Sequence, residues 1–144
     1  MSDLPYLFCL YAEDVRQETS GQMSIVGVFQ GGLRVPAVPT QLPKLSIIAN
    51  LRLPVTDHPT SVTLEVLLGD AVLQEIEPPA DFLQSVAEQK KTGSNDGLTV
   101  QFVVGFVGFP VPHEGKLEVR ANVDGLVVQG NALEISACQN EVSK

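Results

Sequence analysis

The sequence predicts an all-β protein: an Ig-like antiparallel β-sandwich of seven or eight strands with one short helix near residues 80–91. Two observations predict this fold class. Apolar and polar residues alternate with a period of two along several segments, which places one side of each strand on a core and the other side in water. Turn-forming residues divide these segments at roughly 8–12-residue intervals, a spacing typical of β-sandwiches.

The N-terminal third of the sequence contains two predicted strands, Leu4–Val15 and Met23–Phe29. The residues between them, Glu18–Gln22, include a glycine and favour a short hairpin loop. The next segment, Gly31–Pro43, contains three prolines. We therefore expect it to be a long extended connection that crosses from one sheet to the other.

The remaining strands are predicted from alternation and turn residues. Asp124-Gly125 separates the last two of these segments, and Asp-Gly between alternating segments is a strong hairpin signal. The segments are Leu45–Leu53, Val62–Leu68, a run that begins at Ala71, Leu98–Phe106, Leu117–Val123 and Leu126–Ile135.

One helix is predicted between the middle strands, over Ala80–Lys91. Two prolines precede it, and four apolar residues form one stripe along it: Phe82, Leu83, Val86 and Ala87. A helix of this length is marginal alone, so we expect it to pack on a sheet. The length of the chain predicts a single domain over residues 1–144.

Charge and composition exclude several classes of partner. The chain carries 17 acidic and 9 basic residues, and its net charge is −8. Nucleic acids and anionic membrane surfaces both need a basic face, so neither is an expected partner. The N-terminus lacks the basic and long apolar regions of a secretory signal, and Cys9 and Cys138 are expected to be reduced thiols. These features together predict a cytoplasmic location.

Residue patterns for catalysis, metal binding and cofactor binding are missing from the sequence. His58 and His113 each lie beside a proline and are expected in exposed loops. They lack the neighbouring ligands that a zinc site needs, and glycine-rich phosphate loops and nucleophile motifs are absent. We therefore expect a protein without enzymatic activity and without a cofactor.

The most unusual stretch is a charged cluster at the end of the first strand, formed by Glu13, Asp14, Arg16 and Glu18. Its simplest interpretation is a solvated hairpin end whose acids are held by Arg16. The same residues are the candidate binding site for a protein partner, the function that the sequence favours. An alternative is binding of a small ligand or divalent cation, with Asp96 or Asp124 as a further ligand. Acid–base catalysis by paired carboxylates is the third interpretation.

A second candidate interaction feature is the apolar stretch Phe102–Pro112. It is either a core strand, central in its sheet or covered on both sides, or an interface strand that pairs with another subunit. The second interpretation predicts a homodimer.

The N-terminal residues also carry a resemblance to a known family. They contain Glu13-Asp14-Val15-Arg16-Gln17-Glu18, followed by Gly21-Gln22-Met23-Ser24 and by Gly27-Val28-Phe29. This Glu-Asp-x-Arg-x-Glu … Gly-x-x-Ser-x-x-Gly-Val-Phe pattern resembles a family of small bacterial proteins of unknown function. The resemblance implies a cytosolic bacterial β-sandwich and brings no known activity with it.

Overall fold

The computed structural model describes residues 4–54, 60–78, 81, 84 and 98–138. Within these ranges the chain forms ten β-strands that belong to two sheets. The strands are β1 (Tyr6–Gln17), β2 (Met23–Val28), β3 (Gly32–Val35), β4 (Thr40–Leu53), β5 (Val62–Leu68), β6 (Ala71–Ile76), β7 (Leu98–Val111), β8 (Gly115–Val123), β9 (Leu126–Gln129) and β10 (Leu133–Ala137).

The two sheets differ in size and in strand order. Sheet A has the order β2-β1-β4-β7, and sheet B has the order β3-β10-β8-β5-β6, with β9 paired to β8 beside β10. The described strand pairs are antiparallel except β3–β10, which is parallel. The all-β prediction is therefore confirmed, and the prediction of a purely antiparallel arrangement is wrong for this one pair.

Alternation along the strands produces a single hydrophobic core. In β5 and β8, in the N-terminal half of β1 and along β4 from Leu45 to Leu53, every second side chain is buried in one cluster, for example Cys9, Ile47, Leu64 and Val119. The period of two that predicted these strands thus corresponds to their inward faces. Since both sheets contribute to the same cluster, the core holds them together.

Two strands differ from the sequence-based expectation. The connection predicted over Gly31–Pro43 contains β3 and the start of β4. The strand predicted over Leu126–Ile135 is broken at residues 130–132 into β9 and β10, which pair with different parts of β8. Short strands of four or five residues have too little alternation to be recognised, so the predicted number of strands, seven or eight, was too low.

The helix predicted from the sequence over residues 80–91 falls between β6 and β7. Apart from Asp81 and Gln84, these residues lie outside the described ranges. In the parts of the chain that are described, no helix has the length and apolar character that a membrane crossing requires.

Candidate functional site

The charged cluster predicted from the sequence lies on the C-terminal half of β1, where that strand pairs with β2. Asp14 is directly opposite Val26, and Arg16 is directly opposite Ser24. Since alternate residues of a strand share a face, Asp14 and Arg16 lie on the same side of sheet A. Glu13 lies on the opposite side, next to β2, and Glu18 lies in the turn.

Asp14 is the centre of the cluster because it contacts two cations. Its Oδ1 atom lies 3.3 Å from Nζ of Lys44 on β4, and its Oδ2 atom lies 3.7 Å from Nε of Arg16. The backbone N–H of Val15 also donates to Oδ1, at 3.0 Å. The hydrogen bond from Lys44 is the main reason that the pKa of Asp14 is below its ordinary value, and partial desolvation opposes it. Asp14 is therefore held as a carboxylate.

Glu13 and Glu18 do not join these ion pairs. Glu13 packs over Gly27, where a Cβ atom would lie 2.7 Å from the Glu13 Oε1 atom. Gly27 also has a φ of +71°, so both the contact and the backbone favour glycine at this position. Glu18 closes the hairpin through its backbone, since its N–H donates to the Gln22 carbonyl at 2.8 Å and its carbonyl accepts from Gly21 at 3.0 Å.

Lys44 belongs to the cluster, and the sequence did not reveal it. Lys44 is 30 positions after Asp14 in a different strand, and only the antiparallel register of β1 and β4, in which Ala12 pairs with Ser46, brings the two together. With Lys44 included, the cluster contains three carboxylates and two cations, and both cations pair with Asp14.

The cluster borders a cleft of about 430 Å³ at the end of sheet A. The cleft combines charged side chains with apolar walls, as ligand sites do. Its lining residues are Glu13, Asp14, Arg16, Val26, Phe29, Leu33, Leu42, Pro43 and Lys44.

The geometry favours neither cation binding nor acid–base catalysis by the acidic residues of the cluster. Among the described residues, no group of three or more His, Cys, Asp and Glu side chains is placed to hold a metal ion. Asp124, a possible further ligand, instead accepts hydrogen bonds from Thr60 and Ser61 at 2.8–3.1 Å, and Asp96 lies outside the described residues. A general acid needs a raised pKa, whereas the pKa of Asp14 is lowered.

Comparison with known proteins places the chain in a family. The model of a family of unknown function, DUF6941, matches residues 7–136. The chain belongs to this family. The match extends from β1 into β10, so the DUF6941 region includes both sheets, Asp14 and Lys44. No curated protein matches the chain.

The outer face of sheet A, on the side away from the core, is the second notable feature of this DUF6941 domain. Residues in direct register across β1, β4 and β7 form apolar rows, such as Leu10, Ile48 and Val103, in which Ile48 in the middle is buried. Val103 is 44% exposed and Val107 is 86% exposed. Phe8, Val26 and Val28 on the same face are also exposed.

This outer face corrects one sequence-based interpretation. The stretch Phe102–Pro112 was expected either in a core strand or at an interface. In β7 one side packs against the core, where Phe109 and Val111 are buried, and the other side exposes Val103 and Val107. Within the described residues β7 pairs with β4 alone, so it is not central in its sheet. Periodicity cannot distinguish a strand covered on both sides from one with an apolar exposed side.

Proposed function

We propose that this protein is a non-enzymatic interaction module that assembles with a protein partner through the outer face of sheet A. The observation that supports this proposal is the group of exposed apolar side chains on β1, β2 and β7, three of the four strands of the sheet. Monomeric proteins rarely expose apolar side chains contiguously, and such patches commonly mark interaction sites. The exposed members are Tyr6, Phe8, Val26, Val28, Val103 and Val107.

The distribution of charge also supports the outer face of sheet A as the interaction surface. The chain contains 17 acidic residues, which keep it soluble. Among the described residues that point outward from the four strands of sheet A, Asp14 is the one acid, and Lys44 and Arg16 flank it. Asp14, Lys44 and Arg16 lie at one end of the face and Arg52 lies at the other, so the charges border the apolar side chains as in the polar rim of an interface.

The fold that presents this face is, in our proposal, Ig-like. In an Ig-like domain strands A, B and E share one sheet and strands C, F and G share the other. The corresponding strands here are β1, β4 and β7 in sheet A and β5, β8 and β10 in sheet B. The proposed location is the cytoplasm, since Cys138 is an exposed free thiol and a reducing compartment preserves such thiols.

The experiment that tests the proposed function compares two charge substitutions at equally exposed valines. Val103→Asp places a carboxylate on the outer face of sheet A, and Val72→Asp places one on β6 of sheet B, where Val72 is 49% exposed. Each variant is cross-linked at native concentration, alone and in host extract, and the products are identified by mass spectrometry. We expect a specific cross-linked complex that Val103→Asp loses and Val72→Asp retains. If both variants form the same complexes as the wild type, the proposed function is wrong.

A second candidate function is binding of a small organic ligand in the 430 Å³ cleft, because the cleft volume lies within the usual range for ligand sites. A divalent cation fits less well, since the Asp14 carboxylate already forms ion pairs with Lys44 and Arg16. Titration calorimetry with calcium, magnesium and manganese tests the cation. Heat and a higher melting temperature with any of them would favour the cation over the interaction module.

A further inference from the structure

We propose that β7 pairs along its open edge with β7 of a second copy of this chain, antiparallel and about a two-fold axis at Gly105. This inference goes beyond the proposed function, because it concerns the edge of sheet A and not the outer face. Among the described residues β7 pairs with β4 alone, so no strand lies along its other edge. Residues 98–109 of β7 contain neither a charge nor a proline. Natural proteins use charges and prolines to block pairing at such edges, so this edge favours it.

The hydrogen bonds of sheet A show which backbone groups of β7 point to the open edge. The N–H and carbonyl of Cys9 bond to Asn131, so they point away from β4. Since successive residues of a strand direct these groups to opposite edges, Leu10 directs its groups to Ile48, its partner on β4. Ile48 therefore bonds to β1, and its other partner, Val103, is in a pair without hydrogen bonds. The N–H and carbonyl of Val103 point to the open edge.

Three residues of β7 offer their backbone groups to a second copy. Gly105 and Val107 follow Val103 at intervals of two, in the same register with β4, so their groups point to the open edge as well. A two-fold axis at Gly105 places Val103 opposite Val107 of the second copy and Gly105 opposite its own equivalent. Because both members of each pair point toward the other chain, all three are hydrogen-bonded pairs of an antiparallel ladder.

The side chains of this segment are complementary to themselves on both sides of the sheet. On the outer side, Val103 and Val107 are 44% and 86% exposed, and each covers the other across the axis. On the inner side, Val104 lies opposite Phe106 of the second copy, and both side chains are only partly buried in a single copy. Valine pairs and pairs of an aromatic with a β-branched residue stabilise neighbouring strands. Self-pairing therefore covers apolar surface without bringing like charges together.

Gly105 supports the position of the axis. A Cβ atom there would meet nothing within 4 Å, and its φ is not positive, so the fold of one copy does not require glycine. Glycine inside a strand weakens that strand, and it often marks a place where another backbone approaches closely. The proposed axis produces such an approach.

The paired segment is short, which fits a weak dimer. Gly108 has a φ of +69°, and Pro110 has no N–H group, so the regular edge ends after Val107. Pairing of residues 103–107 buries less than the area of about 1,200 Å² at which specific protein interfaces begin. We therefore expect the dimer to dissociate on dilution, with the monomer as the stable folded unit.

The decisive experiment measures hydrogen exchange of individual backbone amides by NMR at low and high protein concentration, with sedimentation to give the mass. We expect the amides of Val103, Gly105 and Val107 to exchange rapidly in the dilute monomer. Their exchange should slow about tenfold or more as the dimer forms. The amide of Thr99 lies on the same edge outside the paired segment, so it should exchange rapidly at both concentrations.

Two proline variants test the same edge. Val103→Pro removes an N–H that makes no bond to β4, so we expect a folded protein that stays monomeric. Thr99→Pro is the matched control, since it removes an N–H from the same edge outside the paired segment, and it should dimerise like the wild type. The exchange of the wild-type amides decides the question even if Val103→Pro does not fold.

Three results would overturn the pairing of β7 with a second copy. One is rapid exchange of the Val103, Gly105 and Val107 amides at every concentration. Another is slow exchange already in the dilute monomer, because the edge would then be covered within one chain. The third is a folded Val103→Pro protein that dimerises as tightly as Thr99→Pro.

Failure of this inference is distinguishable from failure of the proposed function. If the amides stay unprotected but Val103→Asp removes a cross-linked complex with another host protein, the proposed function stands. If the β7 edge becomes protected but Val103→Asp removes no complex with a host protein, the second copy is the partner and the proposed role of the outer face is wrong.

Discussion

The side-chain amide of Asn131 pairs with the backbone of Cys9 in the way that a neighbouring strand would. Its Oδ1 atom accepts a hydrogen bond from the Cys9 N–H at 2.6 Å, and its Nδ2 atom donates to the Cys9 carbonyl at 2.9 Å. The Asn131 carbonyl accepts a further bond from the Tyr11 hydroxyl at 2.8 Å. Because Asn131 lies in the break between β9 and β10, these bonds fasten sheet B to β1 of sheet A.

Replacement of Asn131 by leucine tests this connection between the sheets. Asn131→Leu leaves the N–H and carbonyl groups of the buried Cys9 without their partners, so we expect a loss of about 1–3 kcal/mol in the free energy of unfolding. Chemical denaturation measures the loss. Gln74→Leu is the control, since Gln74 is exposed on β6, and it should change stability by no more than about 0.5 kcal/mol. Equal effects of the two substitutions would contradict the structural role of Asn131.

Gly130 beside Asn131 gives a second test of the same break. A Cβ atom at Gly130 would lie 3.0 Å from the Val119 carbonyl oxygen and 3.2 Å from the Leu7 side chain. Because backbone cannot move aside easily, we expect Gly130→Ala to destabilise the protein by about 1–3 kcal/mol. Gly105→Ala is the matched control, since a Cβ atom there meets nothing within 4 Å. A Gly130→Ala protein as stable as the control would show that the sheets are not closely joined at this point.

Asp124 makes stability depend on pH in the acid range. The hydrogen bond from the Thr60 hydroxyl is the largest of the interactions that hold the pKa of Asp124 below its ordinary value of 3.8. Desolvation acts in the opposite direction and is the smaller effect. The folded state therefore favours the carboxylate, and its stabilising effect is complete above the unfolded pKa and is lost as the pH falls through the folded pKa.

The variant Asp124→Asn isolates this effect. Asn tolerates the φ of +51° at this position, so the turn is kept while the charge is removed. We expect the wild type to be more stable than Asp124→Asn at neutral pH, and the difference to shrink as the pH falls below about 4. Thermal unfolding across this range measures it. A difference that stays constant with pH would mean that the charge of Asp124 contributes nothing.

The two cysteines should differ sharply in reactivity. Burial raises the pKa of Cys9 to about 12, although a side-chain hydrogen bond with Tyr11 acts in the opposite direction. Because the thiolate is the reactive form, Cys9 should resist a disulfide reagent in the native protein, and the exposed Cys138 should react. We expect one thiol to react rapidly in the native protein and both thiols to react rapidly in denaturant. In native Cys138→Ser, no thiol should react rapidly. Rapid native labelling of Cys138→Ser would contradict the buried position of Cys9.

The sequence predicted features that depend on neighbouring residues. Alternation identified the long strands, and the Asp124-Gly125 hairpin is present between β8 and β9. The density of charged residues between Glu13 and Glu18 identified Asp14 and Arg16, which are two positions apart and do contact each other. These predictions succeeded because strand geometry alone fixes which side chains lie close along one strand.

Features that depend on register between distant strands could not be predicted. Lys44 contacts Asp14 only because β1 and β4 pair with Ala12 opposite Ser46. The parallel pair β3–β10 joins segments about one hundred residues apart. The outer face of sheet A is likewise assembled from four strands, and its apolar residues read along the chain as ordinary core residues.

The most direct test of the account is the accessibility of individual methyl groups to a soluble paramagnetic reagent, measured by NMR in buffer and in host extract. Val103 and Val107 report on the outer face of sheet A, and Val72 on sheet B is the internal control. We expect the methyl groups of Val103 and Val107 to become protected in the extract, while those of Val72 stay accessible. Equal accessibility of all three valines in the extract would contradict the claim that a partner binds this face.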